Sequence, residues 1–197
     1  MHRALWSAAA AAAVAGVIVV ASAGARPPRA AARCGEHQRE ACSTAVGTTM
    51  LLARRTRTSD CKLGANPDRA CSPGAYYSRL TKRVICSATF RTTSIRNVPE
   101  AEKFAVEREY GLAPGRYGRA LEIDHIVSLE LGGSNDIANL FPERLDAHPG
   151  YRVKDRLENR LHDLVCGGAM RLRTAQRRIA ANWQALYEDV FGVAPSG

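Results

Sequence analysis

The segment that most constrains the fold lies between residues 122 and 141 and reads EIDHIVSLELGGSNDIANLF. It holds an Asp-His pair, a short apolar stretch and two adjacent glycines. Asn139 follows His125 after fourteen residues. This order predicts a β-hairpin, with one strand from Glu122 to about Leu131, a glycine turn over residues 132–135 and a short return strand from Ile137 to Phe141.

The residue types in this hairpin suit the hydrolysis of a phosphodiester. A neutral imidazole at His125 can accept a proton from water near pH 7, and a carboxylate at Asp124 can hold a divalent cation that neutralises the developing charge. Neighbouring strand residues point to opposite faces unless the strand is distorted. The amide of Asn139 offers donors and an acceptor that are suited to hold a bulged loop, which would bring both groups to one site.

Three short motifs in this hairpin resemble the HNH nuclease family in order and spacing: Asp124-His125-Ile126, Gly132-Gly133 and Asn139-Leu140. A longer stretch, Cys86 to Trp183, is similar to a subgroup of small secreted HNH proteins and covers about half of the chain. Its further matching motifs are Tyr110-Gly111, Lys154-Asp155, Glu158-Asn159, Leu161-His162, Val165-Cys166 and Ala175-Gln176.

The resemblance implies an α+β fold with a ββα-metal hairpin–helix core, additional flanking helices and disulfide bracing. By motif position, it implies that His125 is the general base and that Asp124 is a metal ligand. It implies that Asn139 holds the loop and orients the base. One divalent cation is expected. Mg²⁺ is favoured, and Mn²⁺, Zn²⁺ and Ni²⁺ are also compatible with Asp, His and Asn ligands.

The third HNH element is open among several positions, because no Cys-x-x-Cys knuckle follows Asn139. His148 stands nine residues after that asparagine. Asn159 and His162 lie on the next predicted helix, where ββα-metal ligands usually are, and they are favoured as metal ligands over His148. Asp155 is a further candidate. All four positions equally suit a solvated loop or helix face.

Several other segments have the patterns of regular structure. The sequence predicts a short strand or helix at Gly47–Ala53, a strand at Val84–Thr92 and a helix at Pro99–Tyr110. It also predicts an amphipathic helix at Tyr151–Val165, whose apolar stripe consists of Val153, Leu157, Leu161 and Leu164. A last helix is predicted at Thr174–Phe191, with the stripe Ile179, Trp183, Leu186 or Tyr187, and Val190.

The N-terminus has the pattern of a secretory signal peptide. A short basic region precedes an apolar stretch that ends in small-x-small sites, so residues 1–25 are interpreted as a cleaved signal. The rest is divided into a loop-rich, cysteine-containing segment (26–75) and an HNH-like domain (76–197). Secretion into the medium or periplasm is expected, with no membrane span after cleavage. A retained signal would instead anchor the protein to a membrane.

Six cysteines follow the signal: Cys34, Cys42, Cys61, Cys71, Cys86 and Cys166. An even number in a secreted chain predicts disulfides. Fifteen pairings are possible, and short loops favour Cys34–Cys42 and Cys61–Cys71, which leaves Cys86–Cys166. A zinc site is the rival interpretation, although the sequence contains no Cys-x-x-Cys pair.

The formal net charge of +9 suits a polyanionic partner. Lys154, Arg173 and Arg177 are candidate phosphate contacts, although ordinary surface charge explains them as well. Two functions are therefore considered. The first is a secreted, metal-dependent endonuclease with weak sequence preference, acting on nucleic acid, with DNA favoured over RNA and a monomer assumed. The alternative is a secreted nucleic-acid-binding or polyanion-binding protein that keeps the fold without catalysis.

Overall fold

The computed structural model describes residues 46–145 and 149–196. The fold is α+β, as predicted, with two small antiparallel sheets and five α-helices in these ranges. The strands are β1 (Thr49–Leu51), β2 (Ala75–Tyr77), β3 (Leu121–His125) and β4 (Leu140–Arg144), and the helices are α1 (Lys82–Ile85), α2 (Glu100–Glu109), α3 (Tyr151–Cys166), α4 (Leu172–Ala181) and α5 (Trp183–Phe191). Strand β1 pairs with β2, and β3 pairs with β4.

The β3–β4 hairpin is the centre of the predicted segment, but its strands differ from the prediction. Strand β3 ends at His125, opposite Leu140, instead of running to Leu131. The return strand begins at Leu140 and continues to Arg144. Residues 129–131 and 137–139 form single 3₁₀ turns. The predicted strands were wrong here because Asn139, described below, replaces the ladder hydrogen bonds beyond His125.

The two positions in the connecting loop, 132 and 133, require glycine for different structural reasons. Gly132 has φ +76°, a left-handed conformation that favours glycine. A Cβ on Gly133 would lie 1.7 Å from the carbonyl oxygen of Val127, so only glycine fits at that close approach. The loop from β3 to β4 therefore folds back tightly onto the residues that follow His125.

Helix α3 lies beside the hairpin and carries the apolar stripe predicted for it. Val153, Leu157 and Leu161 are buried, whereas Leu164 is only partly buried and Val165 takes the last core position. Such a stripe at a spacing of three to four residues directs one face of a helix into the core. The opposite edge of α3 is left for polar residues, and Lys154 is the exception, because it is buried.

The predicted last helix was wrong in one respect, because it is two helices. The chain breaks at Asn182, where φ is −164° and ψ is 99°. The side chain of Asn182 accepts a hydrogen bond of 3.0 Å from the amide of Ala185 and so caps α5. The break turns Trp183 into the core, where it is fully buried and donates to the carbonyl of Ala65 at 2.6 Å.

The strand predicted at Val84–Thr92 was also wrong. Residues 82–85 form a short helix and residues 92–94 form a 3₁₀ turn. Local hydrogen bonds compete with strand formation between them, as when Ser87 bonds Thr89 through the hydroxyls at 3.0 Å and Arg91 donates to the carbonyl of Ala88 at 2.7 Å. The helix predicted at Pro99–Tyr110 was confirmed as α2, and residues 49–51 of the segment Gly47–Ala53 form a strand.

Two of the predicted disulfides were confirmed, Cys61–Cys71 and Cys86–Cys166. The second joins the end of α1 to the end of α3 across 80 residues of sequence. Cys34, Cys42 and the predicted signal segment lie outside the described residues. None of the helices in the described ranges has the length and apolar character that a membrane crossing requires.

Candidate active site

The Asp-His pair occupies the last two positions of β3, and its two side chains meet different partners. The Asp124 carboxylate contacts Lys154 on α3, whereas the His125 ring contacts Asn135 in the loop that leads to β4. This is the alternation expected of adjacent strand residues. The pair therefore joins two environments, one on the helix side of the hairpin and one on the loop side.

The hydrogen bonds of Asn135 determine the tautomer of His125. The Asn135 Nδ2 donates to the carbonyl oxygen of Ile95 at 2.6 Å, and a carbonyl can only accept. The Asn135 Oδ1 therefore faces His125 Nε2 at 3.0 Å and must accept its proton. The lone pair of the neutral ring is then on Nδ1, for which the described residues supply no hydrogen-bond partner. Such a nitrogen can take a proton from another molecule.

Burial keeps this imidazole neutral. Only 2% of His125 is exposed. Desolvation lowers its pKa from the ordinary 6.5 to about 4, against the opposing effect of the Asp124 charge. His125 is therefore a deprotonated base throughout the neutral range.

The lowered pKa predicts a pH dependence of stability. Below pH 6.5 the His125 of the unfolded chain takes up a proton, whereas the buried His125 of the folded chain stays neutral until about pH 4. The stability contributed by the neutral His125 is therefore fully present above pH 6.5 and is lost as the pH falls toward about 4. At about 1.4 kcal/mol per pKa unit, the loss is about 3 kcal/mol. Urea unfolding in EDTA should show a steeper acid destabilisation in the wild type than in His125→Gln. Parallel stability curves for the two proteins would contradict this assignment.

Lys154 holds the helix side of the site together through a buried ammonium. Its Nζ donates to Asp124 Oδ2 at 2.5 Å, to the His125 carbonyl at 2.9 Å and to Glu158 Oε1 at 2.6 Å. These three bonds use all three protons of an ammonium group, and its side chain is only 1% exposed. Burial alone would lower the pKa of Lys154, but the surrounding carboxylates raise it well above its ordinary value.

Three carboxyl groups share this single cation. Burial raises the pKa values of Glu143 and Glu158 to about 8, so both hold a proton near pH 7. The pKa of Asp124 is lowered despite its burial, because Lys154 lies against it. The charge balance is then one carboxylate against one ammonium. Both Glu143 oxygens are buried, and the neighbouring Asp124 is among the groups that raise the pKa of Glu143.

Asn139 holds the loop through four hydrogen bonds to backbone groups. Its Oδ1 accepts from the amides of Ala75 and Val127 at 3.0 and 2.9 Å. Its Nδ2 donates to the carbonyls of Val127 and Ser134 at 3.0 and 2.8 Å. The side chain thus fixes the loop after His125, as sequence analysis expects, while contact with the His125 ring itself comes from Asn135.

His125 forms part of the wall of a cleft of about 690 Å³ between the hairpin, α2 and the start of α3. Apolar side chains from β3 form part of this wall, and four basic side chains surround it. The basic residues are Arg96, Lys103, Arg119 and Arg152. A buried neutral base beside a wide, basic cleft is an arrangement suited to a large anionic substrate.

The predicted helix ligands lie elsewhere. Asn159 and His162 line a second cleft, of about 530 Å³, together with Cys86. Asn159 donates to the carbonyl of Asp155 at 3.0 Å, and His162 Nε2 lies 3.2 Å from the carbonyl oxygen of Ile85. His162 also lies close to the two sulfurs of the Cys86–Cys166 bridge. Since the disulfide occupies both sulfurs, neither is available as a thiolate ligand.

The other predicted positions differ in their surroundings. Lys154 is turned inward and bonded as described above. The Arg173 guanidinium stacks on the ring of Tyr76, 3.4 Å from its centroid, and donates to Gln176. Arg177 is exposed on α4. His148 lies outside the described residues.

Comparison with protein-family models, with curated proteins and with solved structures found no match for this chain. The functional interpretation is therefore based on the site itself. Two groups in it were not anticipated from the sequence, Asn135 and Glu143. Asn135 carried a weak signal, as a polar residue that ends the glycine turn ten residues after His125. For Glu143 the sequence carried no signal, because it follows Pro142, beyond the end of the predicted return strand at Phe141.

Proposed function

We propose that this protein is a metal-dependent endonuclease of the HNH type that hydrolyses phosphodiester bonds with His125 as the general base. One observation carries the proposal. Asn135 holds a buried, neutral imidazole in one tautomer, with its Nδ1 available, in the wall of a basic cleft. The resemblance of the Asp-His, Gly-Gly and Asn motifs to HNH nucleases supports the same reaction.

In this proposal, His125 Nδ1 removes a proton from the attacking water. The bond to Asn135 keeps the ring oriented and keeps the second nitrogen protonated. The imidazolium that forms is stabilised by the nearby negative charge of Asp124, which raises the pKa of His125 against the effect of burial. Asn139 contributes by holding the backbone on which these groups depend.

The donor set beside His125 fits a hard divalent cation. It consists of carboxylate oxygens, which Mg²⁺ and Mn²⁺ prefer. Burial, followed by the charge of Asp124, raises the pKa of Asp155, and Asp155 follows Lys154, whose ammonium lies against Asp124. We propose that Asp124 holds the cation with Asp155 or Glu158, in place of the Asn159 and His162 pair expected from the sequence. When bound, the cation would neutralise charge on the phosphate and the leaving oxygen.

We further propose that the protein acts outside the cytoplasm and on DNA in preference to RNA. The two disulfides and the absence of a membrane-spanning helix in the described ranges are compatible with an extracellular protein. The signal pattern at the N-terminus supports secretion. Weak sequence preference is expected, because base-reading modules are not evident in the sequence.

Supercoiled plasmid provides the direct test. The purified protein is expected to nick it at many positions in Mg²⁺ or Mn²⁺ and to leave it intact in EDTA, with products separated on agarose gels. The Asp124→Asn variant should lose most of this activity, whereas His162→Gln, on the second cleft, should retain it. Retardation of the plasmid without nicking in any metal would contradict the enzyme and favour the alternative, a nucleic-acid-binding protein.

One observation favours that alternative. The Lys154 ammonium lies between Asp124 and Glu158, so a positive charge already occupies part of the region where the cation would bind. A protein that kept the fold but used Lys154 in place of a metal would bind nucleic acid without needing a divalent ion. The metal dependence of nicking separates the two functions.

A further inference from the structure

The cleft beside His125 is lined by three arginines that form no ion pair with other described residues. Arg96, Arg119 and Arg152 are exposed, and they come from three separate parts of the chain. Within residues 46–145 and 149–196, none of their guanidinium groups forms an ion pair or a side-chain hydrogen bond. Three unpaired guanidinium groups around one cleft form a strong site for an anion.

Three glutamates line the same cleft against four basic side chains, so the formal charge of the lining is 4 − 3 = +1. Glu100 pairs with Lys103 at 3.4 Å. Glu107 is buried and accepts a hydrogen bond of 2.7 Å from the amide of Gly115. Glu122 is exposed at the edge, where the charge of Arg96 partly offsets the burial that raises its pKa. The net field at the cleft therefore favours a negatively charged ligand.

Arg96 connects this basic lining to the proposed base. Arg96 and His125 both line this one cleft. An anion held by Arg96 therefore lies near the imidazole. Arg152, in the first turn of α3, lines the same cleft.

We infer that Arg96, Arg119 and Arg152 bind consecutive phosphates of a nucleic-acid backbone along this cleft and deliver one phosphodiester to His125. The inference rests on the proposed function and gives it a substrate path that differs from the one expected at Lys154, Arg173 and Arg177. Lys154 is buried, and Arg173 is engaged with Tyr76 and Gln176. The three cleft arginines are arranged for phosphate contacts, which position a backbone without reading its sequence.

Binding without turnover tests the path directly. Fluorescence anisotropy of a labelled 24-base-pair DNA duplex is measured in EDTA over a range of salt concentrations. The substitutions R96A, R119A and R152A are each expected to weaken binding roughly tenfold at low salt, since charge-assisted hydrogen bonds are lost. Each should also reduce the slope of log K against log salt by about one.

Two matched variants locate the effect. Arg160 lies on the same helix as Arg152 and is exposed, but it does not line the cleft. Arg177 is exposed on α4 and represents the other candidate surface. R160A and R177A are expected to bind with nearly unchanged affinity and slope. Wild-type affinity in R96A and R152A, or a loss confined to R177A, would overturn the inference.

The two proposals can fail separately. Plasmid nicking by the wild type, with normal DNA binding by all three cleft variants, would leave the enzyme standing and remove this path. Binding that depends on the cleft arginines, without nicking in any metal, would support the path and remove the catalytic proposal. Thermal unfolding of each variant checks that lost binding is not lost folding.

Discussion

Replacing His125 with glutamine is expected to lower the rate of plasmid nicking by about 10²- to 10⁴-fold, the usual contribution of a general base. Glutamine removes the proton-accepting nitrogen but keeps a donor that can reach Asn135. Because the imidazole is neutral and buried, its replacement by another neutral polar group leaves the charge balance of the site unchanged. The fold and the affinity for DNA in EDTA should therefore persist.

The control is His162→Gln, the same substitution on α3 at the second cleft, where His162 lies against the Ile85 carbonyl and the disulfide. That variant should nick at nearly the wild-type rate. A second variant, Asn135→Ala, removes the group that fixes the tautomer and should lower the rate less than His125→Gln. Near-normal nicking by His125→Gln, with unchanged thermal stability, would remove His125 from the mechanism.

The parts of the site that follow from local sequence were predictable. The Asp-His pair, the two glycines and Asn139 lie within sixteen residues, so turn chemistry and spacing place them together without knowledge of the rest of the fold. The Cys61–Cys71 bridge was predictable for the same reason, because its loop is short. Amphipathic spacing predicted α3, whose apolar stripe faces the core, whereas the buried residues of α2 are Val106 and Glu107 and do not form one apolar face.

The parts that depend on tertiary contacts were not predictable. Asn135 reaches His125 only because Ile95 and Tyr77 hold its amide, and both are at least forty residues away in sequence. Periodicity continues through Asn182, although this residue breaks the predicted last helix into two. Strand propensity at residues 84–92 was overridden by local hydrogen bonds and by the disulfide at Cys86.

Lys154 is the clearest case of a position that the sequence alone could not place. Its charge and its position on a polar helix predicted a contact with solvent or phosphate. In the fold, Lys154 is buried beneath the hairpin, whereas the next residue of the helix, Asp155, is exposed. There it bonds Asp124 and the carbonyl of His125, which end β3, and so ties α3 to the strand that carries the base. If Lys154 were an exposed phosphate contact, its replacement would leave the free energy of unfolding nearly unchanged. If it is a buried brace, its replacement would lower that free energy.

We expect Lys154→Met to lower the free energy of unfolding by about 3–5 kcal/mol, since it leaves the Asp124 carboxylate without its cation. Methionine fills a similar volume, so the loss reports charge and hydrogen bonding more than a cavity. Urea unfolding measures it, and Lys103→Met, at the exposed pair with Glu100, should cost less than about 1 kcal/mol.

A double-mutant cycle assigns the loss to the ion pair. Adding Asp124→Asn to Lys154→Met removes the unpaired carboxylate, so the two substitutions together should cost much less than the sum of their separate effects. Strict additivity, or a Lys154→Met effect within about 0.5 kcal/mol of zero, the range of an ordinary surface substitution, would mean that the ammonium does not brace the hairpin. If Lys154 braces the hairpin, the nicking rate of Lys154→Met, measured well below its unfolding temperature, should also fall, because the bond from Lys154 to the His125 carbonyl fixes the strand end from which the imidazole projects.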